Sequence, residues 1–239
     1  MSLSHVVLTG FDESSIIKSE KLIELSNKYP EKVEWGILLH KNKNSGRYAN
    51  KLVLNEIEKI KSNNQNICFS LHVCGKDYLE DILSEGDWKI LLDDLGSSLD
   101  IFSKIQVNIF DMIDLLCFEN FFNSEDFYYL NQEIILQIRD FKNIELLEKI
   151  KKYKESSLQN VNIFYDASGG KGILPETWPS SLDYCGYGGG LTPENVKSNI
   201  NKIMNVNSSY FWIDAESSLR TNDLFDFEKC ELFLKNSFN

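Results

Sequence analysis

At 239 residues, with 42% hydrophobic and 26% charged side chains, the chain is long enough for one sizeable core or two small domains. Its apolar runs fall short of the roughly 18 residues that a bilayer crossing needs, and no basic flank precedes the first of them, so a cytoplasmic protein without a membrane partner is expected. The formal charge of -11 disfavours nucleic acid, yet it leaves room for a small anion held by backbone N–H groups.

Short runs of strand character recur along the chain at His5–Gly10, Val33–His40, Ile67–Val73, Lys104–Ile109, Ile134–Arg139, Val161–Asp166, Leu182–Gly186 and Tyr210–Asp214. Amphipathic stretches that predict helices lie between or after them, at Ile16–Tyr29, Lys51–Lys61, Leu79–Leu92, Ile144–Tyr153, Pro193–Met204 and Asp226–Leu234. Asp111–Tyr129 reads as helix with an aromatic-rich loop, whereas Gly169–Ser181 holds too much Gly and Pro for a long helix. No linker or low-complexity segment divides the chain. This alternation predicts an α/β fold, a single (β/α)8 TIM barrel of eight parallel strands with outer helices, spanning residues 1–239. The five cysteines, Cys68, Cys74, Cys117, Cys185 and Cys230, form no CxxC pair and are expected to be reduced.

Strand alternation also assigns faces. It turns Phe69, Leu71 and Val73 toward the helices, and Cys68, Ser70 and His72 toward the barrel axis. Gln106, Asn108, Gln137 and Arg139 point inward on the next two strands, and Asp166 is the expected acceptor for Arg139. The aromatic run Phe118–Tyr129 is expected in the core or over one barrel end, since no basic residues interleave it for nucleic-acid stacking. Lys149–Lys154 reads as a solvated helix face.

The stretch Tyr184–Val196 (Tyr-Cys-Gly-Tyr-Gly-Gly-Gly-Leu-Thr-Pro-Glu-Asn-Val) carries the clearest chemistry. Consecutive glycines after a strand let backbone N–H groups approach a ligand closely, and Thr192 as N-cap with Pro193 at the first position opens a helix whose dipole favours an anion. Upstream come Phe-Tyr-Asp-Ala-Ser-Gly-Gly-Lys-Gly from Phe164, and then Trp178. In order and spacing these segments resemble the carboxy-terminal half of phosphoribosylanthranilate isomerase, over about residues 160 to 234, and Ser45-Gly-Arg-Tyr48 is similar to that family's Ser-x-Arg-Tyr segment.

The resemblance implies Asp166 as the general acid that protonates the ribose ring oxygen in an Amadori rearrangement, a step suited to a carboxyl whose surroundings favour its protonated form. It implies Arg47 as an orienting group, which the inward-facing Arg139 is expected to join, and Gly188, Gly189, Gly190, Asp214, Ser217 and Ser218 as the substrate and phosphate site. The chain departs from the family twice. Thr9 stands where the family has its catalytic cysteine, and an unassisted hydroxyl is a far weaker base than a thiolate. Glu216 stands at a family serine, where its charge would oppose a phosphate unless Arg220 or Lys171 offset it.

His72 and Cys74, with His40 on the adjacent strand, are the candidates for the missing base. The leading expectation is a barrel enzyme acting on a small phosphorylated metabolite by acid–base chemistry, without organic cofactor or metal, as monomer or homodimer. Two rivals remain open at this point: a phospho-ligand-binding barrel without catalysis, and a metal-assisted lyase or hydrolase using His40 and His72.

Overall fold

The computed structural model describes residues 2–41, 46–108, 118–124, 127, 130–156, 160–181 and 183–239. Eight parallel strands close into one barrel in sequence order: β1 Leu3–Thr9, β2 Val33–His40, β3 Cys68–Cys74, β4 Lys104–Val107, β5 Glu133–Ile138, β6 Val161–Tyr165, β7 Cys185–Tyr187 and β8 Phe211–Ala215. The first strand pairs with both the second and the eighth, which removes every sheet edge. A two-stranded hairpin, β9 Arg220–Thr221 with β10 Leu224–Phe225, follows the last barrel strand.

The outer helices are α1 Ser19–Lys28, α2 Lys51–Asn63, α3 Lys76–Glu80, α4 Lys89–Leu95, α5 Phe118–Asn123, α6 Ile144–Ser156, α7 Val196–Val206 and α8 Phe227–Phe238. Among the described residues no helix is long and apolar enough to cross a membrane. Helix starts are set by short polar side chains. The Asn50 side chain accepts from the N–H groups of Leu52 and Val53 at 2.9 and 3.1 Å, and Asp226 accepts from Glu228 and Lys229 at 3.0 and 3.2 Å. The expected helix Leu79–Leu92 is instead broken. Gly86 adopts a left-handed conformation (φ 68°) with its α-carbon face against the Asn120 carbonyl, and α4 starts anew beyond it.

Strand β7 begins at Cys185 and ends at Tyr187, displaced from the expected Leu182–Gly186, with Tyr187 in register with Tyr165 and their rings stacked. Leu182, Ile109, Cys117 and most of Asp111–Tyr129 lie outside the described residues. Phe121, Phe122 and Phe127 are buried against Trp88 and one another, as the core reading expects.

Inward side chains form distinct levels along the axis. Near the N-terminal end, the buried Glu34 meets Lys104 at 2.7 Å and His5 at 3.4 Å, with Lys104 lying 5.7 Å from the centre of the Trp212 ring. A thin apolar layer of Val7, Ile135, Phe164 and Trp212 separates this ion cluster from the C-terminal end. Gly36 belongs to that upper half: a β-carbon there would collide with the Thr9 hydroxyl and fall 3.0 Å from His72 Nε2, so glycine lets those two groups approach one another.

Candidate functional site

A cavity of about 310 Å³ opens at the C-terminal end, the face where barrels carry ligand sites. Its floor holds Thr9, His72, Gln106, Asp166 and Asp214, and its rim holds Gly189, Gly190, Ser217 and Ser218. A second cavity of about 210 Å³, lined by Arg47, Tyr48 and Cys74, shares Leu38, Asn108, Gln137, Gly170 and Glu216 with the first.

The rim is rich in open donors. Gly188 spends its N–H on the Tyr165 carbonyl at 2.9 Å and faces the Phe164 ring, so it belongs to the barrel wall and not to the cradle expected for it. Gly189 and Gly190 then turn into positive φ (101° and 65°), and their N–H groups meet no acceptor among the described residues. The same holds for the N–H groups of Ser217 and Ser218, which open a short 3-10 turn on the neighbouring loop.

Ser218 donates to the Leu191 carbonyl at 2.6 Å, tying the two loops together. Gly190 is also the point of closest approach: a β-carbon there would collide with the Leu174 backbone nitrogen of the loop that follows β6. That loop is pinned to α7 by Trp178, whose indole N–H donates to Asn199 at 3.2 Å. Helix α7 starts at Val196, later than the Pro193 start expected. The preceding turn is closed by reciprocal bonds between Thr192 and Asn195, at 2.9 and 3.3 Å, so Thr192 caps that turn while Asn195 stands at the helix N-cap.

Asp166 leaves the end of β6 and accepts four bonds: from the Ser168 N–H and hydroxyl at 3.0 and 2.6 Å, from Gln137 at 3.0 Å and from the Gly170 N–H at 2.8 Å. The expected Arg139–Asp166 pair does not form. Arg139 is exposed outside both cavity linings and packs its methylenes against Gly169, because Gln137, one inward position deeper, already occupies the acceptor.

Asp214, expected at the phosphate, stands on the floor instead. It is buried, accepts from the Thr9 hydroxyl at 2.7 Å, and lies 3.9 Å from His72 Nδ1. Burial pushes its carboxyl well above the usual range; the Thr9 bond opposes this, while Glu216 and Asp166 add to it.

Burial works against both expected bases: it makes His72 a weaker proton acceptor and keeps Cys74 as a thiol. Burial lowers His72 to about 4, so its ring is neutral near pH 7, held between Ser70 at 3.2 Å and Gln106 at 3.3 Å. Burial and the nearby Glu216 push the Cys74 thiol up to about 12, outweighing the Asn108 bond at 2.9 Å, so almost no thiolate forms. His40 tilts against Tyr48 and lines neither cavity, so it does not converge with His72. Among the described residues no three His, Cys, Asp or Glu side chains gather as metal ligands.

Glu216 stands where the two cavities meet and accepts from Arg47 at 3.3 Å, while the Arg47 Nε–H donates to Asp223 at 2.7 Å. Arg220 is engaged elsewhere, in a buried pair with Asp12 at 2.8 Å. Lys171, exposed between the cavity-lining Gly170 and Gly172, makes no ion pair with a described residue.

No protein-family model matches the chain, and no curated protein matches it in sequence. Solved structures do match in fold. N-(5'-phosphoribosyl)anthranilate isomerase from Pyrococcus furiosus superposes with a TM-score of 0.53 at 16% identity, covering 98% of each chain. Monomers derived from the dimeric phosphoribosylanthranilate isomerase of Thermotoga maritima give 0.56 at 14%, covering 99% of this chain and 98% of that one. A phospho-2-dehydro-3-deoxyheptonate aldolase from Thermotoga maritima gives 0.53 at 13%, covering 98% and 68%. The chain is a (β/α)8 barrel similar in fold to these enzymes.

Proposed function

We propose that the chain is a barrel enzyme that isomerises a small phosphorylated, sugar-derived substrate by acid–base chemistry. One observation carries this reading: four backbone N–H groups, from Gly189, Gly190, Ser217 and Ser218, without acceptors among the described residues, border a cavity whose floor presents two buried carboxyls. A tetrahedral anion suits the first set, and Lys171 adds a positive charge.

The two carboxyls divide the proton transfers. Asp166 gives a proton to the sugar ring oxygen as the ring opens; because four donors fill its lone pairs, the Ser168 hydroxyl turns from donor to acceptor when that carboxyl carries the proton. Asp214 takes the proton from the adjacent carbon, the role left vacant by Thr9. A carboxylate whose affinity for protons is raised by burial is a stronger base than an exposed one. Thr9 serves by positioning, since its hydroxyl donates to Asp214 Oδ1 and so orients the carboxylate without itself accepting the proton.

The test is conversion of phosphorylated aldoses and aldosylamines that lack a carboxylate, such as ribose 5-phosphate and 5-phosphoribosylamine, to their ketose isomers, for the native protein and for Asp166→Asn. The expected loss in the variant is about 10²–10⁴-fold, the usual contribution of a positioned acid. Turnover undiminished by the substitution contradicts the assignment. A second reading, ligand binding without catalysis, draws on the lowered proton affinity of His72 and the scarcity of thiolate at Cys74; saturable binding of the substrate with no turnover in the native protein would select it.

A further inference from the structure

We infer that the substrate end remote from the phosphate is neutral or cationic, carrying hydroxyls or an amine, and that Glu216 excludes a second anionic group there. This inference rests on the phosphate end lying at Gly189–Gly190, as proposed above. Among the described residues the second cavity holds one guanidinium, Arg47, which would be the natural receptor for a carboxylate. That receptor is already engaged. Its Nε–H donates to Asp223, its Nη1 donates to Glu216, and Asp223 also approaches Nη2.

Among the described residues, two carboxylates on one guanidinium leave the local balance negative, and Asp214 and Asp166 lie in the adjoining cavity. An incoming carboxylate would have to displace Glu216, whose side chain is only 24% exposed, and then face it at close range in a partly desolvated site. The other lining groups, Tyr48, Asn108 and Gln137, are neutral hydrogen-bonding partners of the kind that hold hydroxyls, and Cys74 stays a neutral thiol. Glu216 itself can receive an ammonium group, since its Arg47 contact uses one carboxylate oxygen.

The experiment is calorimetric titration at neutral pH with a matched open-chain series that differs only at C1: 1-amino-1-deoxyglucitol 6-phosphate, glucitol 6-phosphate and 6-phosphogluconate, with inorganic phosphate as reference. The acid is expected to bind at least roughly tenfold more weakly than the amine. In Glu216→Gln that gap is expected to shrink to within about threefold while inorganic phosphate still binds, because the repelling charge is removed and the cradle is untouched. Equal or tighter binding of the acid by the native protein overturns the inference, as does a gap that persists in Glu216→Gln. Absence of binding by all four probes overturns the phosphate reading itself, and this inference with it; phosphate binding with the acid preferred overturns the inference alone.

Discussion

Both ends of the barrel hold buried polar side chains, but they treat them oppositely. At the N-terminal end the buried charges are paired: burial alone would push Glu34 up, yet Lys104 and His5 hold it well below the usual carboxylate range. At the C-terminal end the carboxyls of Asp214 and Glu216 are pushed up by burial, and backbone donors around them are left open among the described residues. Paired charges fix a structure, whereas open donors and raised carboxyls are what a ligand and a proton transfer require.

The largest expected effect lies at the C-terminal end. Asp214→Asn should lower turnover about 10²–10⁴-fold. The same substitution should stabilise the protein at pH 8, because a carboxyl raised in the folded state contributes stability below its unfolded pKa and loses it as pH rises through the folded one. Thermal melts of variant and parent should therefore converge near about pH 4, the ordinary carboxylate range, and separate with rising pH in the variant's favour. A variant less stable at pH 8 would mean that Asp214 is paired as Glu34 is.

Glu34→Ala should do the reverse, destabilising by about 3–5 kcal/mol in urea unfolding by leaving Lys104 buried without its partner. Loss below about 1 kcal/mol would remove the distinction between the ends. His72 adds an acid-side effect of its own: lowered to about 4, it contributes stability that is full above its usual value of 6.5 and fades as pH falls between the two.

A smaller change is expected at Thr9→Val, which keeps the shape but removes the hydroxyl that holds Asp214 down. The rising limb of the pH–rate profile should move to higher pH; an unmoved limb would separate Thr9 from the reaction. Smallest of all, Cys74→Ser should leave turnover within about threefold, because a thiol raised to about 12 is not a base at neutral pH. A loss beyond about tenfold would restore Cys74 as a catalytic group.

The same contrast explains what is legible in the sequence. The bounds of Val33–His40 can be read directly because the run is largely apolar, continuous and flanked by charge. Alternation also places Ser70, His72, Gln106 and Gln137 inside, whereas Cys68, at the start of the same pattern, is exposed at the strand's end. The break at Gly86 is hidden because its cause is a distant carbonyl, that of Asn120. The glycine loop is visible, but Gly188 and Gly189 look alike in sequence and differ in whether a strand consumes the N–H. Most elusive is the proton chemistry. His72 and Cys74 are reactive residue types, and nothing in their spacing shows the burial that silences them, while Asp214 looks like part of the phosphate motif until its contact with Thr9 places it on the floor.

The most direct test of the anion-binding end is titration of inorganic phosphate into the native protein and into Gly190→Ala. A β-carbon at that position meets the Leu174 backbone and forces a left-handed conformation on alanine, so the cradle must open. One saturable site is expected in the native protein, with at least roughly tenfold weaker binding in the variant, the loss expected when a positioned anion donor is displaced. No saturable binding by the native protein, or equal binding by both, would contradict an anion cradle at Gly189–Gly190.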